Sequence, residues 1–211
     1  MKIDNTKNQE RINFIEEITS LNGFAKLYRK TREIKTSPLL IKSFFIALAL
    51  ITALNFDVNT EANLIASKIV EYSENLINWG VSILGFILAG YSIYATLTDK
   101  KLNLALAMVK HPNYDMSYLM YTHLVFIKVI IEITVICVIT FFAKITFDSF
   151  STQLLIKNHD STILLNYLLI FTLSIIQSLL NLILMICLVF IYNVYHSIMT
   201  SIRWFAENQE E

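Results

Sequence analysis

Apolar residues in this chain fall into four long runs separated by short polar segments. The first, PLLIKSFFIALALITALNF, covers 38–56, and the second, LINWGVSILGFILAGYSIYATL, covers 76–97. The third extends from Tyr118 to Ile145 and the fourth from Ile163 to Ile198. Each meets the roughly 20 residues that a helix needs to cross about 30 Å of hydrocarbon. The pattern predicts an all-α polytopic membrane protein with four transmembrane helices, at about 38–56, 76–97, 118–145 and 163–190. The fourth run is long for one crossing: its 36 residues would make about 54 Å of helix, so its far end is expected to project beyond the bilayer.

The polar segments carry their own periodicity. Residues 1–37 form an arm in which Phe14, Ile18, Leu21, Ala25 and Tyr28 recur in steps of three and four, predicting an amphipathic helix. Its end, KLYRKTREIKTSP, places Lys26, Arg29, Lys30, Arg32 and Lys35 just before the first span. These are candidates for binding anionic headgroups or a partner protein, or for enforcing topology alone. Ile65, Ile69, Tyr72 and Leu76 predict a further helix leading into the second span, with Thr60 as N-cap. Beyond that span, Leu102, Ala105, Leu106 and Val109 keep helical spacing as far as Pro112, so the second helix is expected to project past the membrane.

Composition agrees: 55% of the 211 residues are hydrophobic and 16% charged, against about 25% charged in soluble domains. Net charge is zero, but its distribution orients the chain. Eight Lys and Arg precede residue 38, three lie in the 98–117 loop, and Arg203 lies in the 199–211 tail. Lys68 and Lys157 alone occupy the other two loops. The positive-inside rule therefore places both termini in the cytoplasm and gives the four spans of 38–198 cytoplasmic helical extensions. The first 37 residues lack an apolar signal-peptide core, so the first span is expected to act as its own insertion signal.

Chemistry-bearing residues are few. Cys137 and Cys187 fall inside different spans at different depths and read as free thiols. The histidines, His111, His123, His159 and His196, are scattered, and HExxH, CxxC, Walker and GxSxG motifs are missing. No catalysis, cofactor, metal or direct nucleic-acid binding is expected. Lys128 and Glu132 share a helix face at membrane depth, where an isolated charge costs about 2.5–3.5 kcal/mol, so an intramembrane ion pair is expected. It would be structural, or part of an ion path. Lys42 and Lys144, near span ends, are expected to reach for headgroups. In the fourth run Asn166, Ser174, Gln177 and Asn181 form a polar stripe suited to helix packing or to lining a hydrated cavity. Three of the four glycines, Gly80, Gly85 and Gly90, sit in the second span, with Ala89 one turn beyond Gly85. Small residues on several sides let one helix approach more than one neighbour, which makes this span the expected centre of a bundle or an oligomer.

The stretch SILGFILAGYSIYATLTDKK, Ser82 to Lys101, together with the four-span layout and basic arm, resembles the membrane-spanning components of the Kiwa anti-phage defence system. That resemblance implies a bacterial inner-membrane homo-oligomer, a tetramer, that senses phage attack and works with a soluble cytoplasmic DNA-binding partner. It carries no catalytic residues across. The alternative expectation is a pore-forming effector lined by Lys128, Glu132, Gln177 and Asn181. A secondary transporter would require pseudo-symmetric halves, which the sequence lacks.

Overall fold

The computed structural model describes residues 21–56, 61–157 and 163–208. They are helical: α1 (Phe24–Glu33), α2 (Pro38–Leu54), α3 (Ala62–Leu97), α4 (Lys100–Met108), α5 (Tyr118–Lys157) and α6 (Ile163–Asn208). No strand occurs among the described residues; one antiparallel bridge joins Lys110 and Ser117. Three helical stretches are long and apolar enough to cross a membrane: Ala62–Thr96, Tyr118–Ser149 and Leu164–Trp204. The count becomes four if α1 and α2 together make one broken span. The fold is thus all-helical with three to four potential crossings, as a multi-pass membrane protein requires.

The first expected span is the one that falls short. Pro38 opens α2 at a position where its missing N–H costs nothing, and the helix stops at Leu54 after 17 residues, about 26 Å. The expected helix before span two and the span itself fuse into α3, 36 residues without a break. Span two, however, does not run on past Leu97. Asp99 adopts an extended conformation and its carboxylate accepts from Lys101 N at 3.2 Å, capping a separate helix, α4. That helix ends at Met108, before Pro112, and 109–117 folds back so that Tyr118 N reaches Val109 O. Ser117 Oγ then accepts from Met120 N and caps α5. Both later spans are longer than expected: α5 has 40 residues and α6 has 46, with no break near Asn181.

Two compact units make up the chain. The first gathers the chain up to Lys35, Ile87–Ile131 and Phe190–Glu211. Its core includes Tyr94, Leu102, Leu124, Phe126 and Phe190, with the Phe126 and Phe190 rings edge to face at 5.5 Å. The second gathers Thr36–Phe86 and Glu132–Val189. Here α3 buries Ile65, Ile69, Ser73, Leu76 and Gly80, one face at steps of three and four. Opposite them α5 supplies Ile133, Cys137 and Thr140, and α6 supplies Leu173, Ile176 and Ile183. Large side chains remain outside: Leu50, Phe86, Phe142 and Leu168 are all more than half exposed. A water-soluble surface would not tolerate so much exposed hydrocarbon, but acyl chains cover it without penalty.

Candidate functional site

Within the first unit, the last part of the arm, α1 with Ile34 and Lys35, is held against the 109–117 turn and the start of α5. Gly23 takes φ 149°, a conformation that favours glycine, and begins α1 there. Among the described residues the face that docks differs from the expected one. Ala25 and Tyr28 are exposed; the buried positions are Thr31 and Ile34, with Leu27 half-buried. Phe14, Ile18, Thr60 and His159 lie outside the described residues. Ile34 packs with Met116 and Leu124, flanked by Tyr114, Met120 and Val125. Two polar ties reinforce the contact: Lys35 N donates to Tyr114 Oη at 3.3 Å, and Lys128 Nζ donates to Ile34 O at 2.6 Å. The second satisfies a carbonyl at the C-terminal end of α1, where a cation also meets the negative end of the helix dipole. Lys128 is thus a latch on the arm, a role that spacing within its own helix did not disclose. Glu132 is half-buried one turn further along α5, in the second unit.

The basic residues of the arm turn outward. Lys26, Arg29, Arg32 and Lys35 are exposed, Arg32 lies 6.0 Å from the Tyr28 ring centroid, and Lys30 pairs with Glu33 at 2.8 Å. This leaves a cationic face opposite the docked Thr31–Ile34 face. Nearby, Tyr91 Oη and His123 Nδ1 are 3.0 Å apart between α3 and α5.

In the second unit the three glycines of α3 begin to separate by role. A methyl group at Gly80 would collide with Cys137 Sγ and sit 3.7 Å from Ile183 and 3.9 Å from Ile133, so this glycine marks close approach to α5 and α6. Gly90, in the first unit, would place a methyl 3.4 Å from the Phe190 ring, an ordinary contact. A methyl group at Gly85 would meet nothing within 4 Å among the described residues. Ala89 is exposed too, as are Ser82, Ser92 and Thr96, so steps of three and four trace a line of small exposed residues along α3. Ser82 and Ser92 direct their hydroxyls to Asn78 O and Leu88 O, which satisfies them within the helix and leaves the line smooth.

The α6 amides meet a partner the sequence reading missed. Asn55, just past α2, donates to Gln177 Oε1 at 2.7 Å and to Ser174 Oγ at 3.2 Å. Asn181 is half-buried on the same helix. A polar residue that ends an apolar run was the available signal. Lys144 Nζ also lies 3.2 Å from Glu74 Oε2, an ion pair that its place near a span end did not suggest. No group of three or more His, Cys, Asp or Glu positioned for a metal occurs among the described residues.

No known protein family, curated protein or solved structure matches the chain.

Proposed function

We propose that this protein is a bacterial inner-membrane scaffold and sensor in an anti-phage defence complex, which self-associates and presents its cytoplasmic face to a soluble partner. The observation that carries the reading is the open line on α3. Gly80 and Gly90 are occupied by packing within the chain, whereas Gly85 and its small neighbours are left uncovered. Helices in lipid associate by close backbone approach, and a smooth line of small residues provides it. In this reading four crossings place both termini in the cytoplasm, the orientation favoured by the Lys and Arg distribution. The docked arm then offers Lys26, Arg29, Arg32 and Lys35 to headgroups or a partner. The resemblance of residues 82–101 to Kiwa membrane components supports the defence role and a tetrameric assembly.

Signalling in such an assembly is mechanical: a disturbance at the outer surface tips the balance between two packings, and the projecting helix ends pass the change inward. The test is Gly85→Trp. Wild type should have an oligomeric mass in lipid nanodiscs and recover the soluble partner from cells. The variant should become monomeric without losing thermal stability, because no atom of the described residues lies within 4 Å of a Cβ at position 85. A monomeric wild type would sink the reading.

A pore-forming effector is the second reading. It is favoured by Thr52, Ser73 and Thr140, whose buried hydroxyl oxygens have no hydrogen-bond partner among the described residues. Buried polar atoms of this kind call for water. Ion flux in liposomes containing only this protein, abolished by Gln177→Leu, would establish it over the scaffold.

A further inference from the structure

The first unit contains a half-open cavity of about 420 Å³ whose lining comes from α3, α4, α5, α6 and the 109–117 turn. Leu102, Leu106, Val125 and Phe126 supply apolar surface. Tyrosine hydroxyls, the Asn193 amide and two imidazoles supply the polar groups, while the Thr98, Thr122 and Thr200 hydroxyls are already spent on Tyr94 O, Tyr118 O and His196 O. None of the lining residues is Lys, Arg, Asp or Glu.

The aromatic lining is organised in two sets. His111 lies 4.2 Å from the Tyr121 ring centroid and 4.8 Å from that of Tyr118. From α6, Tyr192 and His196 stack nearly parallel, with 7° between their planes. His111 Nδ1 accepts from Asn113 N at 3.2 Å, so in the neutral ring the proton sits on Nε2, which becomes a donor.

We infer that this cavity is a binding site for an uncharged planar ring compound bearing carbonyl acceptors. The volume lies in the range of small-molecule sites and accommodates a ring system with short substituents. Tyrosine and histidine rings match its flat faces, and hydroxyl, amide and imidazole N–H groups match its carbonyl oxygens. A phosphate would surrender its hydration with no opposite charge in the lining to replace it. The same ligand chemistry has two sources. A quinone would arrive from the bilayer and a nucleobase from water. The site does not depend on self-association.

The test is calorimetric titration of the full-length protein in detergent with ubiquinone-1, guanosine and guanosine monophosphate. Saturable binding of either neutral ring is expected; which one binds identifies the source. The nucleotide should bind at least about tenfold more weakly than guanosine if the nucleobase is the ligand, and not at all if the quinone is. Tyr192→Ala, at a residue 65% exposed and thus tolerant of change, should weaken binding about tenfold. Ser197→Trp, which fills the cavity, should abolish binding, with a retained melting transition confirming the fold. The inference is overturned if neither ring saturates by about 1 mM, if the nucleotide binds as tightly as the nucleoside, or if both variants bind like wild type.

Discussion

Replacing Gly80 by alanine tests the packing of the second unit at its tightest point. The added methyl points at the buried Cys137 thiol, at a separation no pair of non-bonded atoms sustains, with Ile183 and Ile133 closing the space around it. Overpacking of this kind costs about 1–3 kcal/mol. Alanine's better helix propensity, up to about 1 kcal/mol, offsets little of that where the apolar environment already enforces the helix. Cys137→Ala alone leaves a small void, at about 1 kcal/mol. Combined, the new methyl occupies the space the sulfur vacates. The double variant should therefore be more stable than the sum of the single changes predicts, with a coupling of roughly 1–2 kcal/mol. Equilibrium unfolding in mixed detergent micelles, read by pulse proteolysis, measures all four corners of the cycle. Effects that add to within about 0.5 kcal/mol would refute the reasoning, since the two positions would then not share one space.

Gly90→Ala should change stability by less than about 0.5 kcal/mol in the same assay, because its methyl meets the Phe190 ring at ordinary contact distance. Lys128→Met removes a charged donor from Ile34 O, worth about 1.5–3 kcal/mol, so amide exchange across Phe24–Glu33 should accelerate at least tenfold while α6 is unaffected. Asn55→Ala should destabilise by roughly 1–2 kcal/mol in the micelle assay. Adding Gln177→Leu should restore part of that loss, since it eliminates the stranded amide.

The apolar runs made the helical class and three helices long enough to cross legible, because hydrocarbon permits few alternatives to a helix in a stretch of about 20 apolar residues. What stayed hidden depended on single residues or on long-range contacts. Asp99, in DKK, looked like the polar edge of a continuing helix, and only its extended backbone makes it a cap. In the arm, the face that docks is Thr31–Ile34 and not Ala25–Tyr28, because its apolar partners, Met116 and Leu124, lie far along the chain. The spacing of Lys128 and Glu132 said nothing of a partner 94 residues earlier in the chain, and it is there that the Lys128 ammonium finds the Ile34 carbonyl. The division of labour among the glycines was equally out of reach. Spacing shows that they point different ways, but not which of them the chain's own helices will cover.

Self-association along α3 can be examined in native membranes by single cysteines introduced into a Cys137→Ala, Cys187→Ala background. Gly85→Cys, Ala89→Cys and Ser92→Cys should form disulfide-linked dimers under mild oxidation. Leu84→Cys, Ile87→Cys and Tyr91→Cys, at positions wholly or partly covered within the chain, should not. Equal cross-linking at all six positions, or none at any of them, would contradict an interface on this line of small residues.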